Sequence, residues 1–285
     1  MRTLLLLLIP VALLLAFGGG VLFWAAFSQI RFLSYFRHQE KRPPALGLRG
    51  WLALYWQTLV GGYKLLWWVF RAAFHAGLRQ PAGETTGRPV LCVHGLFLNS
   101  TCMWGIRRRL EGMGRPTRGV FMGAPLPSPM SYARPLARVM KELAASFPEE
   151  GFDVVAHSLG GIMTREVLRR HPELADSVHS IVTLGSPHHG TAVLRWLRHG
   201  PIYKMLARDS EYMENLGDFR TLAPASRVTT VAAHHDLVVY PLATAHLAGA
   251  RQVTLSGVNH LGLTTDSRSF DEVAEALTES DGHGE

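Results

Sequence analysis

The sequence has little cysteine and no internal repeat or low-complexity tract. These absences exclude a disulfide-rich scaffold, a repeat protein and a low-complexity chain. Only Cys92 and Cys102 are present among 285 residues, too few for a disulfide framework. Each lies in or near an apolar segment, where a thiol packs as a small buried hydrophobic group. The length suits one sizeable domain with additional segments.

Excess positive charge is missing from most of the chain, although the net charge is +7. Residues 1–80 carry nine Lys and Arg against one acidic residue, Glu40, whereas residues 81–285 carry 20 basic and 21 acidic residues. A near-neutral domain lacks the broad basic surface that nucleic acid requires. Basic residues beside an apolar run are instead typical of contact with a membrane surface.

Charge of either sign is absent from Thr3 to Phe27. A helix of that length would measure about 37 Å, more than the roughly 30 Å hydrocarbon core of a bilayer. Residues 1–30 are therefore predicted to form a transmembrane anchor. The alternative is a cleaved signal peptide, with Arg2 as its basic start, but the apolar run is longer than usual for one.

Residues 31–88 are predicted to be a basic connector that ends in a polar linker, 81–88. Within it, residues 51–75 are apolar and aromatic, and their main polar residues fall on one helical stripe: Gln57, Lys64, Arg71 and His75. Lys64 in the middle disfavours a second span, so an amphipathic helix lying along the lipid headgroups is predicted. The alternative is a helix packed on the following domain.

The basic residues that follow the anchor outnumber those before it. They are Arg31, Arg37, Lys41, Arg42 and Arg49. By the positive-inside rule this distribution slightly favours a cytoplasmic position for the rest of the chain. A second span at 51–75 would reverse that side.

From residue 89 the pattern changes to short β-rich runs that alternate with amphipathic stretches. The runs are 89–93, 118–122, 152–156, 179–184, 227–233 and 251–256, and the helical patterns lie near 102–112, 131–146, 159–171, 240–249 and 270–279. Near-continuous apolar strands separated by helices predict an α/β domain over 89–280, followed by a short tail, 281–285. Its mainly parallel sheet of about six strands would carry helices on both faces, with reactive residues at the carboxyl ends of strands.

The stretch VVAHSLGGI, residues 154–162, reads as a strand, a tight turn and a helix, with Ser158 at the turn. A sharp turn that exposes a nucleophile needs small residues two positions before and after the serine. Gly160 meets this need, and Ala156 adds only a methyl group. With His157, these residues predict a nucleophile turn, although a serine between small residues is also common in ordinary turns.

An activated serine also requires donors for the developing oxyanion. The first strand ends in His94-Gly95-Leu96, where the glycine allows a sharp turn and the Leu96 N–H can face a substrate carbonyl. The Leu159 N–H, at the start of a helix, is the second candidate donor.

The candidate acid and base follow later strands. Asp236 comes directly after the strand 227–233, and His260 comes after the last strand and before the final helix. Asp153 and Asp218 are competing acids, but the first begins the serine's own strand and the second lies in a helical insert. His188 and His189 are interpreted as shaping the site, while His234 and His235 flank Asp236 without any known metal-ligand spacing. No metal or cofactor is expected.

Five segments together carry a resemblance to a known family: PVLCVHGL (89–96), DVVAHSLGG (153–161), LGSPHHGT (184–191), HHDLVVYP (234–241) and VNHLGL (258–263). In this order they resemble the α/β-hydrolase fold and, within it, small bacterial lipases and esterases. The resemblance implies Ser158 as nucleophile, His260 as general base and acid, Asp236 as the orienting carboxylate, and the Leu96 and Leu159 amides as the oxyanion hole. Ala156 replaces the common glycine, as in some small lipases.

The resemblance also implies a function, a serine hydrolase of carboxylic esters, and membrane attachment favours lipid acyl esters as substrates. The alternatives are a thioesterase or acyltransferase that uses the same residues, or a non-catalytic membrane-bound homologue that binds a lipid or a protein. The membrane would be a bacterial inner membrane. The insert 192–226 has apolar residues at helical spacing and is predicted to be a small helical cap over the acyl pocket, with ordinary packing as the alternative. The sequence does not indicate an oligomeric state.

Overall fold

The chain is described here by a computed structural model. It covers residues 46–54, 56–57, 60, 78–79, 87–96, 98–123, 129–193, 200–208 and 210–281. The predicted anchor, 1–30, and most of the connector, 31–88, lie outside these residues and stay predictions. Over the ranges just given, no helix combines the length and the hydropathy that crossing a bilayer requires.

The described residues form one seven-stranded sheet. Its strands are β1 (Leu78–Arg79), β2 (Val90–Val93), β3 (Thr117–Gly119), β4 (Phe152–His157), β5 (Val178–Leu184), β6 (Arg227–Ala233) and β7 (Arg251–Leu255). The strand order is β1-β3-β2-β4-β5-β6-β7. Six strands, β2 to β7, are parallel, which confirms the predicted sheet, and the two-residue β1 adds an antiparallel edge.

Helices cover both faces of the sheet, as predicted. They are α1 (Trp104–Glu111), α2 (Ala133–Ser146), α3 (Leu159–Arg170), α4 (Pro201–Leu206), α5 (Glu211–Asn215), α6 (Phe219–Leu222) and α7 (Ser267–Asp281). Successive side chains of β4 point to opposite faces: Val154 and Ala156 join the core with α2 and α3, whereas Val155 joins the core with α1 and α7. Burial on both faces is the reason that the strand sequence is continuously apolar.

The helix predicted near 240–249 is wrong. Only a single 3-10 turn forms there, Leu242–Ala245, and it is followed by extended backbone at His246. In that conformation the His246 ring nitrogens hydrogen-bond to the Thr230 and Thr254 hydroxyls, at 2.8 and 3.1 Å. These tertiary bonds to β6 and β7 fix the extended backbone in place of a helix.

The insert 192–226 contains α4, α5 and α6, and its described part packs into the core. Six of its apolar side chains are buried there: Met205, Leu206, Met213, Leu216, Phe219 and Ala223. The Arg165 guanidinium on α3 donates to the carbonyl oxygens of Gly217 and His188, at 2.6 and 2.7 Å. These contacts favour the packing interpretation of the insert, and a cap role stays a prediction.

Both cysteines are free and buried, as the sequence suggests. Cys92 lies on β2, and Cys102 lies in the 3-10 turn Ser100–Met103. Burial raises the pKa of the Cys92 thiol to about 12, against a smaller opposing effect of Arg107. Burial raises the pKa of Cys102 as well. Both groups are therefore uncharged core side chains.

Candidate active site

The turn at Ser158 joins β4 to α3 in a strained conformation. Ser158 has φ 54° and ψ −124°, and in the described part of the chain no other non-glycine residue has a positive φ. Such a conformation costs about 1–3 kcal/mol and persists only where the surroundings fix it. One fixing contact is the hydrogen bond from the Ser158 N–H to the Leu184 carbonyl at the end of β5, 2.9 Å.

The small residues around Ser158 have different structural reasons. At Gly160, a Cβ would lie 2.8 Å from the carbonyl oxygens of both Val93 and His94, so a side chain there is sterically excluded. Ala156 is fully buried between Val93 and Thr183 on the adjacent strands. Both of these sheet neighbours are β-branched, and the Ala156 methyl group packs in the core with α2 and α3.

His260 and Asp236 come together at the carboxyl end of the sheet. The His260 Nδ1 donates to Asp236 Oδ2 at 2.7 Å, and both residues are buried. Asp236 Oδ1 accepts two backbone N–H bonds, from Val238 at 2.7 Å and Val239 at 2.8 Å. The carboxylate is thus fixed by the turn that follows it, and it holds the imidazole in the tautomer whose Nε2 can accept a proton.

Gly185 shapes this pair, although the sequence pattern did not single it out. Its φ is +56°, and a Cβ there would lie 3.2 Å from both Asp236 Oδ2 and His260 Nδ1, and 2.8 Å from Leu263. A side chain would press directly on the acid–base hydrogen bond. The only sequence signal was its place in the LGSPHHGT segment.

The loop after β2 lies directly against Ser158. A Cβ at Gly95 would lie 2.9 Å from the Ser158 Cβ and 3.0 Å from the His157 Nδ1. Leu96 follows Gly95 in this loop, and Leu159 follows Ser158 as the first residue of α3. Neither amide N–H bonds to an acceptor within the described ranges, so both are available to a substrate oxygen.

His94 holds the shape of this loop. Its Nδ1 donates to the Gly95 carbonyl at 2.8 Å, and its Nε2 accepts from the Met122 N–H at 3.4 Å. The bond accepted at Nε2 requires a neutral ring, since a protonated imidazole has no free acceptor nitrogen. Burial lowers the His94 pKa to about 4, against a smaller opposing effect of the Gly95 carbonyl.

His157 links the nucleophile turn to the base. Its Nε2 donates to the His260 carbonyl at 3.1 Å, and the two rings lie 4.7 Å apart. Burial, and secondly the nearby His260, hold the His157 pKa well below its usual value. A neutral His157 therefore fixes the backbone of His260 from the side of Ser158.

The competing candidates have other partners. Asp153 forms a buried ion pair with Arg115 at the opposite end of β4, and Asp218 caps α6 by accepting the Arg220 and Thr221 N–H groups. His188 bonds to the Thr183 hydroxyl at 2.9 Å. No three metal-ligating side chains converge within the described residues.

Comparison with known proteins identifies a family that is similar to part of the chain. A family model described as palmitoyl protein thioesterase matches residues 89–218, a little under half of the chain. The match includes Ser158 and both candidate oxyanion donors and ends before Asp236 and His260. No curated protein matches the sequence.

Solved structures of lipases and esterases share the fold. Aspergillus fumigatus lipase B is 18% identical with a TM-score of 0.60, over 71% of this chain and 56% of that one. Mature Bacillus licheniformis lipase BlEst2 is 17% identical with a TM-score of 0.54, over 71% and 98%. A thermophilic esterase from Thermogutta terrifontis is 16% identical with a TM-score of 0.50, over 72% and 93%.

The chain therefore spans little more than half the length of the Aspergillus lipase, and at these identities the likeness concerns the fold. The similarity to lipases and esterases predicted from the five sequence segments is confirmed at that level. The protein has the α/β-hydrolase fold, and its residues 89–218 are similar to the palmitoyl protein thioesterases.

Proposed function

We propose that the protein is a serine hydrolase that cleaves carboxylic esters through an acyl-enzyme on Ser158. The observation that carries this proposal is the 2.7 Å hydrogen bond from His260 to Asp236, whose second oxygen is held by two backbone amides. A buried carboxylate–imidazole pair at the strand ends, beside a strained serine, is the arrangement that acyl transfer requires. The fold and the family match support the same reaction class.

The proposed mechanism has two acyl-transfer steps. His260 Nε2 takes the Ser158 proton as the hydroxyl oxygen attacks the ester carbonyl, and the Leu96 and Leu159 amides stabilise the oxyanion. The alcohol leaves with the proton from His260. Water, deprotonated by His260, then attacks the acyl-enzyme and releases the acid and free Ser158.

Lipid acyl esters are the proposed substrates, because the sequence places an apolar segment and a basic connector before the domain. The second candidate is a fatty acyl thioester, which the palmitoyl protein thioesterase match favours. The same residues serve both reactions, since only the leaving group differs. A binding protein without activity is disfavoured because the serine, imidazole and carboxylate are all present.

The proposal includes attachment to a lipid surface through the N-terminal segment. Residues 48–54 are helical, and Leu48, Leu52 and Trp56 follow one another at intervals of four. Their side chains are 76%, 59% and 66% exposed, which is unusual for large apolar groups on one helical face. With nine basic residues against one acidic in residues 1–80, this outer stripe fits an anionic bilayer.

Labelling by a fluorophosphonate probe tests the catalytic assignment. The full-length protein should react, and Ser158→Ala should lose both labelling and p-nitrophenyl ester turnover by at least about a thousandfold while retaining its Tm. Ser186→Ala is the matched control, since this buried serine lies in the neighbouring turn after β5. Equal labelling of Ser158→Ala and wild type would reject the nucleophile assignment.

Substrate panels with one acyl chain on different leaving groups separate the two candidates. Palmitoyl esters of glycerol and palmitoyl thioesters of a cysteine peptide, presented at equal concentration, should be compared by kcat/KM. A clear preference for the ester supports a lipase, and a preference for the thioester supports the second candidate.

A further inference from the structure

The N-terminal helical segment, residues 48–54 and 56–57, has an inner face that packs on the domain. Leu54 on this face is buried, with 4% of its surface exposed, while Trp51 and Gln57 are half-buried. The sequence pattern predicts Gln57 on a polar stripe along lipid headgroups. In the structure its amide turns inward instead, which supports the domain-packed alternative for this part of 51–75.

The Gln57 amide bonds to the loop that carries His260. Its Nε2 donates to the Gly257 carbonyl at 3.0 Å, and its Oε1 accepts from the Asn259 N–H at 3.4 Å. Gly262 provides the space, because a Cβ there would lie 2.7 Å from the Gln57 Oε1. A primary amide is suited to this double contact, since it presents a donor and an acceptor together.

The contacted loop, residues 256–266, connects β7 to α7 and is also held by hydrogen bonds of its own. The Asn259 side chain accepts from the Gly262 N–H at 2.7 Å and thereby closes a turn around His260. His157 holds the His260 carbonyl from the side of the sheet. Gln57 holds Gly257 and Asn259, which precede the base, so His260 is anchored both through its own carbonyl and through the residues before it.

A second contact joins the same segment to the acid. The Trp51 ring meets the His235 ring edge to face, with 6.3 Å between centroids, and His235 directly precedes Asp236. The His235 Nδ1 also accepts from the Gly257 N–H at 3.2 Å. The N-terminal segment thus contacts both loops whose side chains form the 2.7 Å acid–base bond.

From these contacts we propose that Gln57 is a positioning residue for the base. It acts through the backbone of residues 257–259 and sets the position of the His260 imidazole relative to Ser158. The inference rests on the proposed function. Since the outer stripe lies on the opposite face of the same helix, the element proposed to meet lipid is also the element that supports the base.

The test compares two glutamines that each donate from Nε2 to a backbone carbonyl. Gln57→Leu removes the bonds to the base loop, and Gln252→Leu removes the 2.9 Å bond to Leu247 near the start of β7. In the full chain, Gln57→Leu should lower kcat on a soluble p-nitrophenyl ester and the fluorophosphonate labelling rate by on the order of tenfold. Its KM should change by less than about twofold, and Gln252→Leu should leave both rates near wild type.

The outcomes separate this inference from the function on which it rests. If wild type neither labels nor hydrolyses esters, the proposed function fails. If wild type reacts and Gln57→Leu has the same kcat and labelling rate as Gln252→Leu, the positioning role is rejected. If Gln57→Leu does not fold, Gln57→Glu replaces it: this variant keeps the acceptor for Asn259 but lacks the donor for Gly257, and wild-type kcat in it would also reject the role.

Discussion

Gly95, in the loop after β2, lies against the proposed nucleophile. Its missing side chain allows contact with both Ser158 and the ring of His157. His94, the preceding residue, holds the Gly95 carbonyl. Backbone position at this single residue therefore decides where the Leu96 amide points.

Gly95→Ala should impair catalysis more than folding. The added methyl group would lie within about 3 Å of the Ser158 and His157 side chains, and overpacking of this kind costs about 1–3 kcal/mol. Relief by a shift of the loop would move the Leu96 amide, and loss of one oxyanion donor costs about 10²–10³ in kcat. Steady-state kinetics and thermal unfolding measure the two effects.

Gly47→Ala is the matched control, because a Cβ there meets nothing within 4 Å and its activity should equal that of wild type. Wild-type kcat for Gly95→Ala would contradict the proposed place of Leu96 in the oxyanion hole.

At the scale of elements, apolar periodicity was sufficient for the sheet. The six parallel strands are predicted within a few residues, because each is buried on both faces and reads as an unbroken apolar run. The two-residue β1 was missed, since two residues carry no pattern. The helix predicted at 240–249 fails because the contacts of His246 with β6 and β7 are tertiary.

In the candidate site too, features with a local sequence pattern could be predicted and features that depend on tertiary contacts could not. The segments around Ser158, Asp236 and His260 each have a recognisable local sequence pattern. Their meeting at the strand ends could therefore be predicted from their order along the chain. The contact of Gln57 with the base loop could not be predicted in this way, because its partner Gly257 is 200 residues away in the sequence. The role of Gly185 could not be predicted either, since only the folded loop shows that its α-carbon borders the acid–base pair.

The two faces of the N-terminal helix give a prediction at this scale. A polarity-sensitive fluorophore attached through Trp56→Cys should be quenched by nitroxide lipids when the full chain is reconstituted into anionic vesicles, because the outer stripe would insert at the interface. The buried native thiols should not compete for the label. The measurement is steady-state fluorescence with and without the quencher lipid.

Trp104→Cys provides the comparison, as Trp104 is 46% exposed on α1. A label there should remain unquenched. Equal quenching at both positions would mean that the stripe has no special contact with lipid.

For the whole molecule, buried neutral histidines predict loss of stability in acid. The His94 pKa is lowered from 6.5 to about 4, and burial also lowers the pKa of His157 and His188. The unfolded chain therefore binds more protons between about pH 6.5 and 4, so stability is intact above that window and falls as the pH decreases through it. For His94 alone the loss approaches roughly 3 kcal/mol.

Denaturant unfolding at several pH values measures this slope. His94→Gln should flatten it, because the glutamine amide takes up no proton in either the folded or the unfolded chain. A wild-type unfolding free energy that stays constant from pH 7 to pH 4.5 would contradict the expected proton uptake.

The two buried thiols described with the fold can report on local opening of the core without any introduced label. Cys92 lies on β2 beside the loop of the candidate site, and Cys102 lies in the turn that leads into α1. An alkylating reagent reaches either sulfur only when the surrounding core separates, so the rate of modification measures that opening equilibrium. Comparing the two rates would tell whether β2, which leads into the Gly95 loop, opens alone or only when the whole domain unfolds.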